Sequence, residues 1–85
     1  MPFAPSQLTM SDAEAALRAG REAVAAGETE IDLSQLQRFD SAAVAALLEW
    51  QRLAAGQGRS LRIIHLPAGL ASIAQVYGVA HLLAS

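Results

Sequence analysis

The chain has 85 residues, of which 53% are hydrophobic, with no cysteine and a formal net charge of −2. A chain this short has enough apolar content for one core, so we expect residues 1–85 to form a single domain. Because the chain has no cysteine, disulfides and thiolate metal sites are excluded. Its arginines are scattered and form no basic stripe, which argues against nucleic-acid binding. No apolar run approaches the roughly 20 residues of a membrane span, which favours a cytoplasmic protein.

The N-terminal part begins with residues 1–10, which we expect to be irregular because two prolines disfavour a central strand there. Within this segment, Gln7–Thr9 is predicted to form a stub of edge strand. Ser11 and Glu14 have the spacing of a capping box, which predicts that a helix begins here. Gly27 is predicted to end that helix, because glycine readily adopts the left-handed conformation of a helix terminus.

The middle of the chain contains a predicted strand followed by a long predicted helix. Apolar and polar residues alternate over Thr29–Leu33, which indicates a short strand. Ser34–Phe39 is predicted to be a connection at the end of the sheet. Asp40 or Ser41 then caps a second helix that reaches about Ala55.

The last part of the chain predicts one more strand and one more helix. Ser60–Leu66 is nearly continuously apolar, and Pro67 ends it. A helix follows over Ala68–Tyr77, and an apolar segment closes the chain after Gly78. Strands that alternate with helices favour parallel neighbours. We therefore predict an α/β fold, with a small mixed, largely parallel sheet, helices packed on it, and a first strand that is short or missing.

The second predicted helix carries apolar residues on two sides of its helical wheel. The side predicted to face the core holds Val44, Leu47, Leu48 and Ala55. The nearly opposite side holds Ala42, Ala46 and Leu53, with Trp50 on its flank. Two interpretations stay open. Either another element covers this second side, or it is an exposed docking patch on which Trp50 is an aromatic anchor.

The segment IDLSQLQRFDSAAVAALLEW resembles the signature of STAS domains. In that family an apolar strand ends in Asp-Leu-Ser, and after a short connection Asp-Ser and small residues open a helix. The later segment SLRIIHLPAGLASIAQVYGVAHLL also resembles the family, with a strand, a proline, a helix, Tyr-Gly-Val and a closing Leu-Leu. The chain is most similar to the MlaB type, a small cytoplasmic subunit of the ABC transporter that moves phospholipids between the two membranes of Gram-negative bacteria.

This resemblance implies a non-catalytic subunit that docks on the transporter's ATPase, supports its assembly or activity, and so serves outer-membrane lipid asymmetry. It implies no catalytic residues, no cofactor and no metal. It also implies that the protein is peripheral to the inner membrane, with membrane contact only through the transporter complex. A short first strand would leave an open sheet edge, through which we expect a homodimer.

The predicted partner-binding residues lie before and along the second helix. They are Arg38, Asp40, Ser41, Ala42, Ala46, Trp50 and Leu53. Ser41 matches the position that is phosphorylated in the family's anti-sigma-factor antagonists, and a phosphate there would add about two negative charges at a helix N-terminus. For Asp40 and Ser41 a helix cap, a direct partner contact and a phosphorylation switch all stay open. Arg38 is either part of the docking rim or a solvated charge.

Overall fold

The computed structural model describes residues 3–83. In chain order its elements are β1 (Gln7–Leu8), α1 (Ala13–Ala25), β2 (Glu30–Asp32), β3 (Arg38–Phe39), α2 (Ser41–Gly56), β4 (Arg62–Ile64), α3 (Ala68–Val76) and α4 (Ala80–Leu83). The strands have two or three residues, whereas α2 has 16. This arrangement confirms the predicted α/β fold with short parallel strands. None of the helices described is long and apolar enough to cross a membrane.

The strands form two parallel pairs, and the N-terminal segment contacts both of them. β1 pairs with β3, with Gln7 opposite Arg38, and β2 pairs with β4. Further back in the same segment, Phe3 forms a parallel bridge with Ile31. The backbone carbonyl of Phe3 also accepts a hydrogen bond from the Asp32 amide at 2.8 Å. The predicted strand stub therefore forms at Gln7–Leu8, where it pairs with one strand, β3, as an edge strand does.

β3 lies within the stretch that was predicted to be only a connection. Its pairing with β1 is extended by two hydrogen bonds, from the Gln37 amide to the Ser6 carbonyl at 2.8 Å and from the Asp40 amide to the Leu8 carbonyl at 3.3 Å. Two residues are too few to show an alternating pattern, so only the neighbouring segment in space defines this strand. Among residues 3–83, β3 and β4 each pair with one other strand. The homodimer through a sheet edge stays a prediction.

The start of α1 differs from the predicted capping box of Ser11 and Glu14. Asp12 occupies the N-cap position without a side-chain bond into the helix. Its carboxylate instead accepts hydrogen bonds from the backbone amide of Thr9 at 2.8 Å and from the Thr9 hydroxyl at 2.9 Å. The bond from the Thr9 amide holds the pKa of Asp12 below its ordinary value. The loop before α1 is therefore fixed by Asp12.

The largest fully buried side chains come from helices and strands along the whole described part of the chain. They are Trp50, Leu8, Ile31, Leu33, Leu47, Ile63, Leu70, Leu83 and Val24. α2 lies at the centre of this packing, because it contacts α1, α3, α4 and β1. α1 packs mainly on α2 and also contacts β1. Only one arc of α2 therefore reaches the surface.

Candidate docking surface

The buried residues of α2 form one wide arc and not two opposite sides. This arc holds Ala43, Val44, Ala46, Leu47, Trp50 and Ala54. The two apolar sides that the helical wheel predicted lie at the two margins of this buried arc. The residues at the centre of the arc, which connect the two margins, were assigned to neither side. Ala55, which was predicted to face the core, is exposed. Opposite the buried arc, the outward face of α2 holds Ser41, Ala45, Glu49 and Arg52.

Trp50 is fully buried, with 0% of its surface exposed. Its ring packs over Gly20 of α1, and it meets the ring of Phe3 edge-on, with centroids 5.4 Å apart and planes at 87°. Its indole nitrogen donates a hydrogen bond to the Leu17 carbonyl at 3.2 Å. The interpretation of Trp50 as an exposed docking anchor is therefore wrong. The alternative, that another element covers it, describes the structure, and that element is α1.

The structure separates the other predicted binding residues into buried and accessible ones. Ala46 is 3% exposed, so it offers almost no surface to a partner, and Leu53 is half-buried against the core. Ser41 and Ala42 are half-buried at the N-terminal end of α2, and Arg38 is exposed just before it. The accessible part of the predicted surface is thus its beginning, and the continuation along α2 through Ala46 and Trp50 is wrong.

Two apolar grooves flank the first turns of α2. The first has a volume of about 370 Å³ and lies between α1 and α2; it is lined by Met10, Ala13, Leu17, Ser41, Ala42, Ala45, Ala46 and Glu49. The second has a volume of about 300 Å³ and lies towards the α3–α4 corner; it is lined by Ser41, Val44, Ala45, Leu48, Tyr77 and Val79. Ser41 and Ala45 line both grooves, so these small side chains form a low ridge between them. We call the ridge and its two grooves the docking surface.

Asp40 caps α2, as predicted, and also reaches the loop before α1. One carboxylate oxygen, Oδ1, accepts a hydrogen bond from the Ala42 amide at 2.9 Å. The other, Oδ2, accepts one from the Met10 amide at 2.9 Å. Asp40 therefore fixes both the start of α2 and one wall of the first groove.

The Asp-Leu-Ser sequence after β2 forms a turn. The Asp32 carboxylate accepts a hydrogen bond from the Ser34 amide at 2.9 Å, and this bond lowers the pKa of Asp32 below its ordinary value. His65 adds a smaller electrostatic contribution in the same direction. Within residues 3–83, no group of three or more His, Asp or Glu residues could hold a metal ion.

The sequence interpretation missed Ala45, Leu48, Met10, Tyr77 and Val79. Tyr77 follows the C-terminal end of α3, and 60% of its surface is exposed. Met10 is 72% exposed at the end of the irregular N-terminal segment. The outward position of Ala45 could have been found on the helical wheel, because it lies between Glu49 and Arg52, which the wheel places outside. No local pattern indicated the other residues.

The fold and this surface define a small α/β domain of the STAS type. The family model described as "Mlab, STAS domain" matches residues 5–84. The chain therefore belongs to the STAS domain family and is of the MlaB type. No individual curated protein matches the sequence. STAS domains are generally binding or regulatory domains without catalytic activity, which agrees with a site built mainly from alanine and aliphatic side chains.

Proposed function

We propose that this protein is a non-catalytic cytoplasmic subunit that docks on the ATPase of a phospholipid-trafficking ABC transporter and supports its assembly or activity. Its membrane contact is made through that complex, at the inner membrane, and the transporter maintains outer-membrane lipid asymmetry. The membership in the MlaB-type family supports the choice of partner. The observation that carries the proposal is the low ridge of Ser41 and Ala45 between two apolar grooves.

The shape of the docking surface suits a protein partner better than a small substrate. Both grooves are open and shallow in outline, and they lie side by side along one helix. Small ridge residues let a partner's backbone approach α2 closely, while apolar partner side chains enter the grooves on either side. The charged pair of Glu49 and Arg52, with a nitrogen–oxygen distance of 3.8 Å, continues the outward face of α2. It gives the surface a polar rim at that end.

Ala45→Arg should block docking without unfolding the chain. Ala45 is exposed on α2 and arginine is a good helix former, so the fold should tolerate the change. A long charged side chain on the ridge would hold the partner away from both grooves, and we expect affinity for the ATPase to fall by at least about 2 kcal/mol, or 30-fold. The measurement is titration calorimetry with the purified ATPase subunit, identified by mass spectrometry as the ABC ATPase that copurifies with the chain.

Ala55→Arg is the matched control for this variant. Ala55 is also an exposed alanine of α2, but it lies about 15 Å further along the helix. We expect it to leave the affinity unchanged within about twofold, because surface changes away from the contact usually have small effects. Equal affinities of the Ala45→Arg and wild-type chains would contradict the docking surface, and no copurifying ABC ATPase would contradict the proposed partner.

A second candidate function is an anti-sigma-factor antagonist that is switched by phosphorylation of Ser41. It is favoured by the position of Ser41, which lines both grooves at the N-terminal end of α2. A phosphate there would bring about two negative charges between the grooves. The candidate predicts that the chain from growing cells carries one phosphate, which Ser41→Ala removes. It also predicts at least about tenfold weaker partner binding by Ser41→Glu than by Ser41→Ala. Unmodified Ser41 throughout growth would reject it.

A further inference from the structure

Both carboxylate oxygens of Asp40 already have partners within the chain. Oδ1 accepts from the Ala42 amide in the first turn of α2, and Oδ2 accepts from the Met10 amide, 30 residues away. Each carboxylate oxygen is thus oriented by a backbone amide of the chain itself, which uses about two of its four acceptor sites. The bond to Met10, unlike the cap, contributes nothing to α2 itself. It links the loop before α1 to the N-terminal end of α2.

Met10 is held through its backbone while its side chain stays at the surface. The neighbouring Thr9 is fixed by Asp12, and Met10 itself is fixed by Asp40. Nevertheless 72% of the Met10 surface is exposed, and its side chain lines the first groove opposite Ser41 and Ala42. A flexible thioether on a fixed backbone can adapt to an apolar partner group without a loss of position.

We propose that Asp40 is a positioning residue of the docking surface, which acts by holding Met10 in place as a contact at the wall of the first groove. This inference rests on the proposed function, because it concerns the same surface and the same ATPase partner. Asp40 is then needed for docking although it does not touch the ATPase. Met10, far from α2 in the sequence, is part of the contact.

We call the hydrogen bond from the Met10 amide to Asp40 the clamp. Asp40→Asn tests this clamp separately from the cap of α2. Asparagine caps helices about as well as aspartate, so the bond from the Ala42 amide can remain. The oxygen that faces the Met10 amide is replaced by an amide NH₂ group, which cannot accept a hydrogen bond. We expect Asp40→Asn and Met10→Ala each to weaken binding of the purified ATPase subunit by about fivefold to tenfold. Because both remove the same contact, the double variant should be no weaker than the weaker single variant.

A double variant whose loss equals the product of the two single losses would overturn the inference. In that case Asp40 would act on the partner independently of Met10. Unfolding curves in urea are recorded for all three variants. Only a small decrease of the midpoint is expected for Asp40→Asn, because the cap is retained and one exposed hydrogen bond is lost. An affinity of Met10→Ala equal to that of the wild-type chain would also overturn it.

Amide hydrogen exchange tests the clamp without any partner. In Asp40→Asn, the Met10 amide should exchange at least about fivefold faster than in the wild-type chain, while the Thr9 amide, which Asp12 holds, should not change. An unchanged Met10 exchange rate would overturn the clamp. If this exchange difference is observed but the wild-type chain binds no ATPase, the proposed function is overturned, and with it the role of Met10 in docking. The hydrogen bond between Asp40 and Met10 would still stand.

Discussion

Gly20→Ala should destabilise the protein by about 2–3 kcal/mol, although alanine is the better helix former. A Cβ atom at this position would lie within overlap distance of Cε2 of the Trp50 ring. The ring has no room to move away, because Trp50 is fully buried and also packed against Phe3. For a domain this small, whose free energy of unfolding is on the order of 5 kcal/mol, this is a large fraction of the total.

The measurement for Gly20→Ala is urea unfolding followed by tryptophan fluorescence. Trp50 is the chain's single tryptophan, so its emission reports directly on the contact that is strained. The matched control is Gly56→Ala at the end of α2, where no atom would lie within 4 Å of the new Cβ. There we expect a gain of up to about 0.5 kcal/mol, because the unfolded chain loses freedom. A stabilised Gly20→Ala variant would show that α1 does not pack on Trp50 in this way.

Trp50→Ala should cost about 4 kcal/mol of stability, which is most of a free energy of unfolding on the order of 5 kcal/mol. The substitution empties the space between α1, α2 and the N-terminal segment, and it removes the hydrogen bond to the Leu17 carbonyl. The loss of ordered helix is measured by circular dichroism during urea unfolding. Any loss of ATPase binding by this variant would then follow from the loss of fold and not from a missing contact.

Tyr77→Ala and Trp50→Phe are the two variants that test this interpretation of Trp50. Tyr77 is an aromatic residue of the docking surface and is mostly exposed, so its replacement should change stability by no more than about 0.5 kcal/mol. Trp50→Phe keeps a buried ring and should fold, and its affinity for the ATPase should match that of the wild-type chain. If Trp50→Phe folds but binds the ATPase much more weakly, Trp50 contributes to the interface after all.

The parts of the site that could be predicted from the sequence are those set by local chemistry. Asp40 is a preferred capping residue before an apolar helix, and the structure shows it in that role. Gly27 ends the first helix with a positive φ of 106°, as its position in the sequence predicted. Apart from β3, the order of strands and helices followed from the same local patterns and from the resemblance to STAS domains.

The remaining parts depend on contacts between distant segments. The wheel of α2 placed Trp50 on the flank, but only the missing side chain of Gly20 in another helix makes room to bury it. Met10 belongs to the docking surface because a hydrogen bond brings the loop before α1 to the start of α2. β3 is a strand only because β1 lies beside it. None of these relations leaves a periodic pattern in the sequence.

The parallel pairing of all four strands also determines how this protein can fold. Parallel strands cannot be joined by a tight turn, so β1 reaches β3 only after α1 and β2 have been made, and β2 reaches β4 only after α2. During synthesis β1 therefore has no strand partner until β3 has been made, and β2 has none until β4 has been made. Such non-local pairing slows folding relative to a helical bundle of similar size. The segment that carries Met10 and one wall of the docking surface is therefore synthesised before the strand that fixes β1 beside it.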